Sequence, residues 1–279
     1  MPTMAEGDEW PPLETVVVGG VALVTASRQE LTDAMVRDCL AARSQAVRAR
    51  LVFDLNGQAL SLRETDAAYR AAFDQGDILH ADGGFLVTLS RWLAGVPIAE
   101  RSPATDLIND FSARAATEGL TFYLLGGSEE VNAACARILV ERYPGLKIAG
   151  RHNGYFSEAD LPELLAEINA AAPDVLWVGL GKQIEVPFAI AHRDLRAGWL
   201  VTSGGCFNYV TGHYRRAPLW MQRMNLEWVH RMVTNPRQLL MRYLLTTPHA
   251  LYLGLSRTPR QAGRRASGAA PTTDNVDPT

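Results

Sequence analysis

The chain has 279 residues, 47% of them hydrophobic and 20% charged, with a formal net charge of −3. That length fits one large or two small domains, the apolar share is that of a globular core, and the near-neutral balance argues against a nucleic-acid binder. Three cysteines, Cys39, Cys135 and Cys206, are far apart and odd in number, which argues against a disulfide framework or a C-x-x-C zinc site and for a reduced, cytoplasmic compartment.

The N-terminus MPTMAEGDEWPP is acidic and polar, without a basic n-region or an apolar h-region. No secretory signal is expected, and residues 1–14 read as flexible. Up to residue 202, short apolar runs alternate with longer amphipathic ones. Strands are predicted over 16–18, 21–24, 51–55, 78–81, 121–125, 147–149, 175–178 and 199–202, and helices over 28–48, 61–75, 84–94, 105–118, 129–143, 160–171 and 184–195. The first two strands, joined by Gly19-Gly20, read as a hairpin. The alternation implies βαβ units: an α/β, Rossmann-like fold with a mostly parallel sheet flanked by helices.

Three predicted strands end in glycine turns, at Gly126-Gly127, Gly179-Leu180-Gly181 and Gly204-Gly205. In an open α/β sheet the ligand crevice lies outside the carboxyl ends of the strands, and a glycine turn leading into a helix offers backbone N–H groups to an anion. The turns suggest a phosphorylated ligand, although each fits a plain tight βα connection equally well. Asp82, in His80-Ala81-Asp82-Gly83-Gly84, stands at a strand tip before two glycines, as a general base would; a helix cap fits the same position. Asp54 and Asn56 end the 51–55 strand, Lys182 and Gln183 follow the Gly181 turn, and Arg101, Thr105 and Asp106 open a helix. Each of these is a candidate ligand to a sugar or phosphate and also ordinary turn or cap chemistry.

From Tyr214 to Arg265 the chain carries ten arginines, no lysine and one acid, Glu227, interleaved with Trp220, Trp228, Tyr243 and many Leu and Met residues. Basic helices with apolar faces suit an anionic membrane surface, and guanidinium forks suit a diphosphate. A helical pair packed on the core with solvated arginines fits as well. The segment 239–255 is interrupted by Arg242, Pro248 and His249, so no bilayer-spanning run of ~18–20 apolar residues is expected. The domains read as 1–213, an α/β catalytic domain; 214–260, a basic amphipathic helical appendage; and 261–279, a disordered tail.

In order along the chain, DLN at 54–56, ADGG at 81–84, ERSPATDL at 100–107, FYLLGG at 122–127, YPGLKIAGRHNGYF at 143–156, PDVLWVGLGKQ at 173–183, GGCFNYVTG at 204–212 and RRAPLWMQRMNLEWVHRM at 215–232 resemble the WecG/TagA/CpsF family, glycosyltransferase family 26. The likeness covers roughly residues 50–245. It implies a Rossmann-like domain whose C-terminal helical appendage meets the membrane and completes the active site. It implies transfer of a hexose or N-acetylhexosamine from a UDP-sugar to a polyprenyl-diphosphate-linked sugar, with inversion, without metal or other cofactor, in bacterial exopolysaccharide, capsule, adhesin or wall-polymer synthesis.

Carried over by motif, Asp82 is the base. Substrate-binding candidates are Asn56, Asp54, Gly83, Thr105, Asp106, Gly126, Gly127, Gly181, Lys182, Gln183, Gly205 and Asn208, with Arg215, Arg216 and Arg223 for the diphosphates. The family's G-x-P-K-Q-E is shortened here to Gly181-Lys182-Gln183-Ile184-Glu185, its G-T-D-L reads Ala104-Thr105-Asp106-Leu107, and its F-D reads Phe207-Asn208. These changes lie where a donor binds and leave the donor sugar open. No D-x-D occurs, the paired carboxylates with which many such enzymes hold a divalent metal. The expected setting is the cytoplasmic face of the plasma membrane, with self-association and no nucleic acid. Two other readings are a non-catalytic membrane-associated scaffold of polysaccharide assembly, and a dinucleotide-binding dehydrogenase. The second lacks the third glycine of G-x-G-x-x-G after Gly179-Leu180-Gly181.

Overall fold

The computed structural model describes residues 10–44, 48–224, 226–234 and 236–260. The expected disordered tail at 261–279, and residues 1–9 of the expected flexible start, lie outside them. Within that start, Pro11 accepts a hydrogen bond from Arg50 at 2.8 Å, and the Arg50 guanidinium lies 5.9 Å from the Trp10 ring centre.

Strands β1 (Thr15–Val18) and β2 (Val21–Val24) form the antiparallel hairpin read from Gly19-Gly20. Six further strands, β3 (Arg50–Leu55), β4 (Ile78–Ala81), β5 (Thr121–Gly126), β6 (Lys147–His152), β7 (Val175–Gly179) and β8 (Trp199–Thr202), make one parallel sheet in the order β4-β3-β8-β7-β5-β6. Every residue of β3 and β8 is buried, as expected for central strands of a parallel sheet covered on both faces. Successive residues serve opposite cores: Leu51, Phe53 and Leu55 on one face, Val52, Trp177 and Trp199 on the other. Burying each such side chain contributes on the order of 2 kcal/mol.

On the Val52 face lie α1 (Arg28–Ser44), α5 (Ala104–Glu118), α6 (Glu129–Arg142) and α9 (Cys206–Val210). On the Leu51 face lie α2 (Gly57–Thr65), α3 (Ala67–Phe73), α4 (Gly84–Leu89), α7 (Leu161–Ala171) and α8 (Lys182–Ala191). The single helix expected over 61–75 is two. Asp66 ends α2 and caps α3, its carboxylate accepting the Ala68 and Tyr69 N–H groups at 2.9 Å each. Strand β6 runs three residues beyond its predicted end, and α9, too short for a helical period to show, was not expected.

The C-terminal helices are α10 (Leu219–Arg223), α11 (Glu227–Thr234) and α12 (Pro236–Arg257). Helix α12 lies along α2 and buries Ala250 and Leu253 in the same core as Leu60. His249 Nδ1 meets Ser61 Oγ at 2.9 Å, Arg257 pairs with Glu64, and Thr258 Oγ1 accepts the Gly19 N–H at 2.9 Å. Gly254 lets α12 lie close to α4 as well, since a Cβ there would come within 2.6 Å of Leu89 Cδ1. No helix among the described residues is long and apolar enough to cross a membrane.

Candidate active site

From β3 the chain steps outward to β4, from β5 outward to β6, and then returns to lay β7 and β8 between them. That reversal creates the switch point where α/β sheets bind ligands. A cavity of about 800 Å³ opens there, lined by residues at the carboxyl ends of the adjacent strands β4, β3, β8 and β7. Phe85 and Leu89 of α4, with Trp92 in the π-helical turn Ser90–Ala94, line one side; Tyr243, Ala250, Leu251 and Leu255 of α12 line another.

At the floor Asn56 caps α2, its Oδ1 accepting the Gln58 and Ala59 N–H groups at 3.1 Å each. The cap fixes the amide's orientation and turns Nδ2 to the strand tips, where it donates to Asp82 Oδ2 at 3.1 Å and to Asp54 Oδ2 at 3.4 Å. The Asp82 N–H donates to Leu55 O at 2.9 Å, which pins the β4 tip to β3. Burial, and next the negative charge of Asp54, push the Asp82 carboxyl up to about 6, against the Asn56 hydrogen bond. Such a carboxylate is ionised at neutral pH and a stronger base than a free aspartate.

Lys182 lines the cavity, but its ammonium ion-pairs with Asp54 and, at 3.2 Å, with Glu185. Burial opposes that charge; the two carboxylates outweigh it and raise the Lys182 pKa above its ordinary value. Glu185 is fully buried and accepts N–H groups from Gly181 at 3.2 Å and Gly204 at 2.9 Å, so one carboxylate ties together the turns that follow β7 and β8. His80, opposite Asp54 in the β3–β4 register, meets Ser102 Oγ at 3.0 Å, and burial lowers its pKa to about 4, leaving it neutral at pH 7.

Cationic groups reach the cavity from the C-terminal helices. Arg231 of α11 lies over the Tyr209 ring at 5.3 Å, and its charge acts on Asp82; Arg242 of α12 lies over Tyr243 at 4.9 Å. Neither forms an ion pair among the described residues. A guanidinium held over an aromatic ring, inside a cavity and without a carboxylate partner, is poised for phosphate oxygens.

Of the residues singled out from sequence, Asp54, Asn56, Asp82, Gly83, Thr105, Gly181, Lys182, Gln183 and Gly205 line this one cavity. Gly126, Gly127, Asp106, Asn208, Arg215 and Arg216 do not. Gly126 serves packing: with φ at +133°, a Cβ there would meet Gly179 O at 2.3 Å. Asp106 pairs with Arg216 and, at 3.0 Å, with Arg28, while Arg215 is exposed. The side chain of Arg223 lies outside the described residues. Sequence reasoning passed over Arg231, Tyr209 and the buried role of Glu185. The spacing of Glu227, Trp228 and Arg231 on one helical face is the signal that points to Arg231.

A stretch of 169 residues is 31% identical to the N-acetylglucosaminyldiphosphoundecaprenol N-acetyl-beta-D-mannosaminyltransferase of Bacillus spizizenii, covering 60% of this chain and 65% of that protein's length. The model of the glycosyl transferase WecG/TagA/CpsF family matches residues 16–264, almost the whole of the described fold, and the chain belongs to that family.

Proposed function

We propose that the protein is an inverting glycosyltransferase that moves a hexose or N-acetylhexosamine-type sugar from a UDP-sugar to a polyprenyl-diphosphate-linked sugar in the synthesis of a bacterial surface polysaccharide. The observation that carries this reading is Asp82, an amide-held carboxylate of raised pKa in a cavity that Arg101, Arg231 and Arg242 also line. Family membership and the relative's lipid-diphosphate acceptor support it.

In the reaction an acceptor hydroxyl gives its proton to Asp82 as its oxygen bonds to the anomeric carbon. The bond from that carbon to the diphosphate oxygen breaks, and UDP leaves with the electron pair from the opposite face. Holding both substrates in one crevice supplies much of the rate through orientation. The departing charge is met by the guanidinium groups of Arg231 and Arg242, which line the cavity without a carboxylate partner among the described residues. The carboxylates of Asp54 and Glu185 already share the Lys182 ammonium, which supports chemistry without a metal.

The rim suits docking on the inner face of the membrane. Trp92, Leu219, Trp220, Met224, Leu244, Leu245 and Tyr252 are all more than half exposed, and the stretch that carries most of them is rich in arginine. The test of the function is Asp82→Asn, assayed with a panel of UDP-sugars and an undecaprenyl-diphosphate-linked N-acetylglucosamine. Loss of turnover by at least ~100-fold is expected; turnover near that of the parent overturns the assignment.

A further inference from the structure

A second carboxylate stands beside the proposed base. Asp54 ends β3 as Asp82 follows β4, and the Asn56 amide nitrogen lies between them, 3.4 Å from Asp54 Oδ2 and 3.1 Å from Asp82 Oδ2. An amide nitrogen carries two hydrogens, one for each carboxylate, and the α2 cap leaves it no other orientation. The opposite oxygen of Asp54 is held by the Lys182 ammonium. Lys182 is anchored in turn by Glu185, which grips the Gly181 and Gly204 turns. Asp54 is 5% exposed and Lys182 10%, so this line of groups runs from the cavity surface into the core. Asp82 Oδ1 has no hydrogen-bond donor among the described residues.

We propose that Asp54 is a positioning residue that sets the strength of the base: paired with Lys182 and joined to Asp82 through Asn56, it fixes Oδ2 so that Oδ1 receives the hydroxyl proton. The proposal rests on the reading of Asp82 as the base. It gives Lys182 the task of holding a carboxylate charged in a buried place, where an unpaired one would take up a proton instead. The groups that face Asp82 are Asp54 from β3, Asn56 from the start of α2, Lys182 from α8, Arg231 from α11 and Tyr209 from α9. Burial and Asp54 favour the protonated form; Asn56, Lys182 and Arg231 favour the ionised one.

The test is the pH dependence of kcat/KM for the full chain, with UDP-N-acetylmannosamine and the other UDP-sugars against undecaprenyl-diphosphate-linked N-acetylglucosamine. In the parent the rate rises with pH through the Asp82 titration near 6. Asp54→Asn moves that acidic limb to lower pH by on the order of one unit and lowers the plateau kcat several-fold, because the base is weaker, while KM stays within about two-fold. Asp54→Asn leaves Lys182 with one partner and can fail to fold, so the double variant Asp54→Asn/Lys182→Met is measured beside it. The neutral pair removes the buried charges together, and its limb falls between those of the single variant and the parent. With Asp82→Asn inactive, an unmoved limb in the folded variants overturns the tuning role alone. Should Asp82→Asn keep parental turnover, the limb does not belong to Asp82 and both readings fall.

Discussion

Arg101 donates a hydrogen bond to Glu227 at 2.9 Å, linking the segment before α5 to the first turn of α11. The second oxygen of Glu227 takes the Arg216 Nε at 3.4 Å, and Arg216 pairs with Asp106. The one acid of the basic C-terminal stretch is therefore its anchor. It seats the helix that carries Arg231 into the cavity one turn later.

Replacing Glu227 with Gln removes a charge from two partly buried ion pairs, a loss of roughly 1–3 kcal/mol in local docking. The expected result is a rise in the KM of a substrate diphosphate by about ten-fold with a smaller effect on kcat, and faster proteolysis within α11. Arg231→Met should shift KM the same way, because it deletes the cation that Glu227 positions. Parental kinetics for Glu227→Gln would show that α11 holds its place without this contact.

The exposed apolar rim makes a separate prediction. Leu244 and Leu245 are 56% and 68% exposed on α12 and lie outside the cavity lining. Removing the segment from 214 onward would be a poor test, since it strips α12 from α2 and uncovers Leu60 and Leu86. Leu244→Ser with Leu245→Ser leaves that packing in place. Each inserted leucine is worth about 2 kcal/mol, so binding to phosphatidylglycerol vesicles should fall by more than ten-fold while turnover on a detergent-dispersed acceptor persists. Unchanged vesicle binding would overturn the proposed docking of this rim on a membrane.

How much of this was legible before folding follows from the range of each signal. Strand β7 and most of β8 announced themselves as apolar runs, and β3 through Leu51, Val52 and Phe53, because both faces of a central parallel strand are buried. Strand β6 was cut short in the reading because Arg151 and His152, on the far edge of the sheet, are polar as edge positions allow. Asp82 and Asn56 were found because a polar residue at a strand tip is a local event. The turns at Gly126-Gly127 and Gly204-Gly205 look alike in sequence. Only the strand order, which puts β8 beside β3 and β5 two places further on, brings one to the cavity and uses the other for packing. Among ten arginines, Arg231 is distinguished by the seat that Glu227 gives its helix, a relation spanning more than 120 residues to Arg101.

Asp82 also makes a prediction about stability, apart from turnover. Its carboxyl is raised from an ordinary 3.8 to about 6 in the folded chain. Between those values the folded chain holds a proton that the unfolded chain has released, so stability falls as pH rises through 4 to 6 and stays reduced above. His80 acts in the opposite sense. Its pKa drops from 6.5 to about 4, so the unfolded chain binds the extra proton and stability is lost as pH falls through that window. In the parent the two effects largely cancel between pH 4 and 6. Asp82→Asn removes one of them. The variant should therefore be more stable than the parent at pH 7.5 by roughly 2–3 kcal/mol, the value of a shift of about two units, a melting point several degrees higher for a chain of this size. The gap should narrow toward pH 4 and vanish below it, where Asp82 is protonated in both states of the parent. Melting the two proteins across this range checks the sign: a variant that melts lower at pH 7.5 would mean that the carboxylate is stabilised where it stands, and is not the strained base that the cavity floor implies.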